Sequence, residues 1–207
     1  MDSRYLDTSG GPVAEWRLEE GIGTLAHDTS GQSNVGSLLP SPNGPAWVNG
    51  KWGKGLQFDG LDDYVDVGNP PSLDITGNQV TVEAWVKWNQ PQTGYPGIVD
   101  KLYGGAYALK ASGNTPYFYV VAGGQEGRTE YTGSPGGDLA WHHVVGTYDG
   151  ASATMRLYVD ASWSIPRRTL RGATSPPPRP HWLSAGEQSI LSSSTGALTK
   201  HGCTTAP

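Results

Sequence analysis

The feature that most constrains this chain is a pair of apolar and aromatic runs that break at acidic turns and then resume. One is Trp141-His142-His143-Val144-Val145-Gly146-Thr147-Tyr148-Asp149-Gly150, followed by Met155-Arg156-Leu157-Tyr158-Val159-Asp160. The other is Leu56-Gln57-Phe58-Asp59-Gly60-Leu61-Asp62-Asp63-Tyr64-Val65-Asp66-Val67. Short strands interrupted at Asp-Gly or Asp-rich turns are the pattern of an antiparallel sheet. Read as a hairpin, Leu56–Phe58 and Tyr64–Val67 flank the Asp59-Gly60 turn, with its acids solvated.

Further runs predict strands at Val13–Leu18, Val80–Trp88, Gly97–Lys101, Ala106–Lys110 and Tyr117–Val121. The stretches Asp28–Gly36 and Pro40–Asn49 read as turn-rich connections, with Trp47 as an anchor in the second. No sustained helical period and no internal repeat is visible, and many short strands at this spacing describe a sandwich or barrel. With 30 Gly, 16 Pro and 8 Trp among 207 residues, against 2 Phe and 2 Met, the chain suits one β-rich domain.

Alternation assigns faces. Val80, Val82, Ala84 and Val86 share one face, taken as core, so Thr81, Glu83, Trp85 and Lys87 point the other way. The same logic buries Met155, Leu157 and Val159 and turns Arg156 and Tyr158 outward. An outward face bearing aromatic rings and charged groups can hold a sugar, rings against its C–H face and charges on its hydroxyls. The same aromatics also suit a cover for the sandwich or a contact with a neighbouring domain.

Together, the two opening stretches and Val80-Thr81-Val82-Glu83-Ala84-Trp85-Val86-Lys87 resemble the LamG-like jelly-roll domain of the concanavalin A-like lectin/glucanase superfamily. The resemblance runs from about Val13 to Asp160 and implies an all-β, two-sheet antiparallel jelly-roll sandwich whose C-terminal part is incomplete. Residues 1–12 form an N-terminal flank, 13–160 the jelly-roll domain and 161–207 an irregular tail. The function expected is a non-catalytic carbohydrate-binding or adhesion module. The alternatives are a structural or protein-interaction domain without a sugar site and, more remotely, a glycoside hydrolase. Trp85, Trp88, Tyr103, Tyr107 and Tyr119 are the candidate ligand-binding residues.

Asp28-Thr29-Ser30-Gly31-Gln32-Ser33-Asn34-Val35-Gly36 is the metal candidate. Calcium takes hard oxygen ligands from flexible loops, and Asp28, Ser30 and Asn34 supply such oxygens. The resembling family has an Asp-x-Ser-Gly-x-x-Asn-x-Gly segment here and commonly a structural calcium ion. An Asx turn, with Asp28 capping backbone N–H groups, explains the same residues without metal.

A retaining glycosidase needs two carboxyl groups about 5–5.5 Å apart. Asp62 and Asp66 are the nearest approach, but the superfamily's Glu-x-Asp-x-x-Glu strand motif is missing. His142 and His143 are neighbours on a strand, so they face opposite ways and cannot chelate one metal. A net charge of −5 opposes nucleic acid and anionic membranes as partners. No apolar run approaches the ~20 residues of a membrane span. The single Cys203 forms no internal disulfide, and Met1–Asp7 lacks the apolar core of a signal peptide. The expected partners are a glycan or a cell-surface or extracellular protein, and the expected setting is extracellular or cell-surface, as part of a larger protein.

After Asp160 the character changes. Ser175-Pro176-Pro177-Pro178-Arg179-Pro180 and a Ser/Thr-rich end replace alternation, as a linker would. A slipped reading frame is the sharper account. If codons GCA-AGT-TGG-TCG-ATA encode Ala161–Ile165, one restored G regroups them as GGC-AAG-TTG-GTC-GAT, which reads G-K-L-V-D. Regrouping at His181–Ala185 permits P-L-V-I-G, and from Ser192 to Pro207 it permits FFNGRIDEARVYNRA, which resembles the terminal strand of the family. That strand carries an Asp-Glu pair whose Asp would partner the calcium loop, so its loss argues against metal binding by this chain. In the resembling family the last strand lies beside the first, so an altered tail is expected to leave the edge of Val13–Leu18 unpaired or poorly paired.

Overall fold

The computed structural model describes residues 11–74, 77–89, 94–101, 107–163, 189–192 and 196–199, the last two segments by their backbone. In chain order the strands are β1 (Ala14–Trp16), β2 (Leu25–Ala26), β3 (Gly36–Leu39), β4 (Ala46–Asn49), β5 (Lys54–Gln57), β6 (Tyr64–Asp66), β7 (Gln79–Trp88) and β8 (Gly97–Lys101). They continue with β9 (Tyr107–Ser112), β10 (Thr115–Ala122), β11 (Gln125–Glu130), β12 (Trp141–Asp149), β13 (Thr154–Val159), β14 (Ser162–Trp163), β15 (Ser189–Ser192) and β16 (Gly196–Thr199). The only helical elements among the described residues are single 3-10 turns at Pro71–Leu73 and Pro135–Asp138.

Among the described residues these strands make three antiparallel sheets. A nine-stranded sheet runs β14-β13-β12-β7-β15-β5-β4, with β16 between β7 and β1. A four-stranded sheet, β11-β10-β9-β8, and a three-stranded sheet, β2-β3-β6, stand apart from it. The main core lies between the first two: Val82, Ala84, Val86, Val144, Leu157 and Val159 from one side meet Leu109, Phe118 and Val120 from the other, all at most 5% exposed. Leu38, Leu56 and Phe58 form a second apolar cluster under the small sheet. The result is a sandwich whose second layer is split in two.

Alternation sets the register as expected. Along β7 the even-numbered positions from Val80 to Trp88 are buried and Thr81, Glu83, Trp85 and Lys87 are half-buried on the opposite face. The sheets approach closely where Gly146 of β12 faces Phe118 of β10: a Cβ there would lie 2.4 Å from the ring.

Two expectations change. Leu56–Phe58 and Tyr64–Val67 are not a hairpin, because β5 pairs with β4 and β15 while β6 pairs with β3. Asp59–Asp63 instead carries the chain from one sheet to another, and an Asx turn serves a crossover as well as a hairpin. The edge of the first strand is also not left unpaired: over Ala14–Trp16 it is covered, with Ala14 opposite Leu198 and Trp16 opposite Gly196. Backbone N–H and C=O groups need partners, and any extended segment can supply them without an alternating pattern.

Candidate ligand-binding face

The loop from Asp28 to Asn34 is a closed hydrogen-bonded staple. Asp28 Oδ1 accepts the backbone N–H groups of Glu15 at 2.9 Å and Ser30 at 2.8 Å, and Oδ2 accepts the backbone and side-chain N–H of Asn34, both at 2.9 Å. Burial works to raise the pKa of Asp28, yet the hydrogen bonds from Ser30, Glu15 and Asn34 hold it below the ordinary carboxylate value. Ser30 Oγ donates to the Val13 carbonyl, and Asn34 Oδ1 accepts from Ser72 Oγ. Every side-chain oxygen of the three residues thus has a protein partner. A calcium ion would have to displace donors from Asp28, so the residues as arranged do not fit one.

The aromatic candidates separate. Trp88 is 1% exposed and Tyr107 2% exposed, with Tyr107 Oη donating to the Leu73 carbonyl. Both are core residues rather than ligand platforms. Position explains this: Trp88 continues the buried register of Val82 to Val86, and Tyr107 shares the inner face of β9 with Leu109 and Ala111. Tyr119 stands half-buried on the outer face of β10, opposite Ala108 and Arg128. Next to it, the Arg128 guanidinium lies 3.9 Å from the centroid of the Tyr117 ring. Tyr103 lies outside the described residues.

Trp85 is the centre of a stack. On the outer face of the large sheet it pairs directly with His143 of β12, the rings 5.0 Å apart and inclined by 22°. Trp52, from the turn between β4 and β5, meets Trp85 edge-on at 4.9 Å. Lys51 Nζ lies 4.1 Å from the Trp85 ring and 5.0 Å from that of Trp52, within cation–π range. His143 Nε2 is 3.4 Å from Glu83 Oε2. Trp52 is 52% exposed and forms the outward side of this group.

The same face continues across the sheet. Glu83 is opposite Val145, Val145 opposite Tyr158, and Tyr158 opposite Trp163, which is 54% exposed. Trp52, Lys51, His143 and Trp163 were not among the sequence candidates. A tryptophan inside the tight Gly50–Gly53 turn was the one local signal for Trp52, since a turn exposes what it carries. A second concavity, of about 490 Å³, opens at one end of the sandwich between Gly77–Val80, Val120–Gly123 and Tyr148.

A sequence model described as concanavalin A-like lectin/glucanases superfamily matches residues 58–197, more than half of the chain. The chain belongs to this superfamily. The match starts later than Val13 and runs past Asp160 into the tail. A comparison with curated proteins gives no match. Among solved structures, the binding domain of Paraclostridial Mosquitocidal Protein 1 is similar, with a TM-score of 0.58 at 11% identity over 90% of this chain and 45% of that one. The receptor binding domain of botulinum neurotoxin C/D mosaic serotype gives 0.58 at 10% identity over 93% and 49%. The botulinum neurotoxin serotype D binding domain gives 0.51 at 12% over 88% and 47%. The chain spans about half the length of these structures, and at such identity the likeness shows the fold.

His142, Asp138, Asp160 and Asp66 of this superfamily member take structural positions. His142 is buried between Asp138, 2.9 Å from Nε2, and Asp160, 2.7 Å from Nδ1, while His143 faces outward. Asp66 accepts the N–H of Gly68, two residues on, as an Asx turn does, and Asp62 lies instead with Asp59 and Asp63.

Proposed function

We propose that the chain is a non-catalytic recognition module that binds carbohydrate and works as one domain of a larger extracellular or cell-surface protein. The observation that carries this reading is the exposed indole of Trp52, braced on Trp85 beside Lys51, His143 and Glu83. A rigid aromatic surface costs little entropy to present, and the flanking charges offer donors and acceptors for hydroxyls. The row from Glu83 through Tyr158 to Trp163 spans three strand spacings, roughly 14 Å at about 4.8 Å each. That length suits several sugar units better than one. The binding-domain neighbours support the reading to this extent: the same fold serves binding in other proteins.

The half-exposed Trp52 and Trp163 also favour a second reading, a protein-interaction domain using the same face. A glycan array read with the wild-type chain and with Trp52→Ala decides between them. The proposal expects one glycan class to be retained and Trp52→Ala to weaken it at least about tenfold. No glycan bound by the wild type, or binding unchanged in Trp52→Ala and Trp163→Ala, overturns it.

A further inference from the structure

Lys101 ends β8, at the edge of the four-stranded sheet, and its side chain is only 11% exposed. Lysine is rarely so buried unless something engages its ammonium. Two groups do: Nζ donates to Oδ1 of Asn69 and lies 3.0 Å from Oδ1 of Asp74. Those two residues are the ends of one stiff turn. Pro70 and Pro71 fix φ, and the N–H groups of Leu73 and Asp74 close onto the carbonyls of Pro70 and Pro71 at 3.0 and 3.1 Å. Leu73 anchors the turn in the core, where its own carbonyl accepts Tyr107 Oη, and Tyr107 is in turn opposite Lys101 across β8 and β9. An amine, an amide carbonyl and a carboxylate are thereby held together from two sides.

The geometry points to a modification site: an intramolecular amide bond between Lys101 Nζ and Asn69 Cγ, with Asp74 as the proton shuttle. An Nζ that touches Oδ1 is at most one C=O bond, about 1.2 Å, further from Cγ, so the reacting atoms are already gathered. Lys101 Nζ passes one proton to the Asp74 carboxylate and bonds to Cγ; the Cγ–Nδ2 bond breaks, and Nδ2 leaves as ammonium with that proton and a second one from Nζ. One ammonium and one amide become one amide and one ammonium, with no oxidant or reductant. The usual rival at asparagine, attack on Cγ by the following backbone N–H, is closed here because residue 70 is proline and has none. Lys54 Nζ also donates to an asparagine, Asn49 Oδ1 at 3.2 Å, but there the lysine itself is exposed and water solvates its ammonium, so that pair stays a hydrogen bond. The bond at Lys101 would tie the edge of one sheet to the segment leaving another, across 32 positions, in a chain whose single cysteine offers no internal disulfide for the purpose. It is independent of carbohydrate binding at Trp52.

Mass spectrometry of the purified chain reads it. The wild type should weigh about 17 Da less than its sequence, the mass of the ammonia lost when a lysine amine acylates in this way. Trypsin should fail to cut after Lys101, and peptide 88–110 should be recovered joined to peptide 55–87. Lys101→Arg keeps the charge beside Asp74 but removes the amine. It should restore the full mass, abolish the joined pair and lower the melting temperature by several degrees, as loss of a cross-link over such a loop does. Asp74→Asn, at an exposed position, should slow joining at least about tenfold. Full sequence mass in the wild type with ordinary cleavage after Lys101 overturns the bond, as does a joined pair that survives Lys101→Arg. Joining at the wild-type rate in Asp74→Asn overturns the shuttle.

Discussion

Nδ1 of His142 and a carboxylate oxygen of Asp160 lie 2.7 Å apart, and the second oxygen of Asp160 accepts the N–H of His143 at 2.9 Å. One acidic side chain at the end of β13 thereby contacts both the buried His142 and the backbone of the half-buried His143 of β12. Burial pulls the pKa of His142 down, but Asp138 and Asp160 outweigh it and the net shift is upward. The folded imidazole therefore holds its proton above the unfolded value of about 6.5.

A group raised on folding stabilises fully below its unfolded pKa and loses that contribution as pH rises through the folded one. Asp138, lowered mainly by its hydrogen bond to His142, contributes above its unfolded pKa and loses that as pH falls through the folded value. Melting temperature is expected to fall as pH rises from about 6 toward 8, and His142→Gln should flatten that slope. A wild-type melting temperature that climbs over this interval would contradict the clamp.

Asp160 and Ala161 join β13 to β14 with φ of 50° and 62°. A two-residue hairpin turn with both φ positive asks for Asn-Gly or Asp-Gly, because a Cβ in the left-handed region costs about 1–2 kcal/mol. Ala161→Gly is expected to raise stability by about 1 kcal/mol, some 2–4 °C in a domain of this size. The shifted frame puts glycine at this position, so a gain here gives the frameshift reading physical support. The complete frame-restored chain is further expected to be more soluble and more resistant to trypsin. Limited proteolysis checks it: trypsin should cut this chain at Arg167, Arg168 and Arg171 before Arg156 and leave the restored chain intact for longer, and resistance at those three sites equal to that at Arg156 overturns the frameshift reading.

Gly146→Ala tests the packing between layers. The added methyl would meet the Phe118 ring at 2.4 Å, backed by a core with no exposed side to give way. Overpacking of this kind costs about 1–3 kcal/mol. Urea denaturation should show a lower midpoint with an unchanged slope.

Leu198→Pro tests the terminal strand by its backbone alone. Position 198 is opposite Ala14 of β1 and Val82 of β7, so a residue without an N–H disturbs a strand paired on both sides. Melting temperature should fall by several degrees, and Leu198→Ala should fall less. Equal effects would mean that the ladder contributes nothing.

The sequence made some of this legible and concealed the rest for identifiable reasons. Val80–Trp88 alternates without a break, so its buried face was readable. Trp88 was misjudged by residue type when its register already placed it inward. Gln125–Glu130 forms β11 although it lacks an apolar alternation, because its register follows from its pairing with β10. The Trp85 stack draws on three separate segments, and no local pattern announces that His143 and Trp52 converge on one ring. Asp63 was read as solvated with its neighbours, and burial of one acid in a run of three leaves no mark in composition.

The position of β16 between β1 and β7 has a consequence for synthesis. On the ribosome, β1 emerges long before the strand that covers its hydrogen-bonding edge. At about 5–20 residues per second the wait is roughly ten to forty seconds. During that time the nascent N-terminal region presents an open template to other chains. Chaperone dependence during translation, rather than stability once folded, is where this topology would first be felt in a cell.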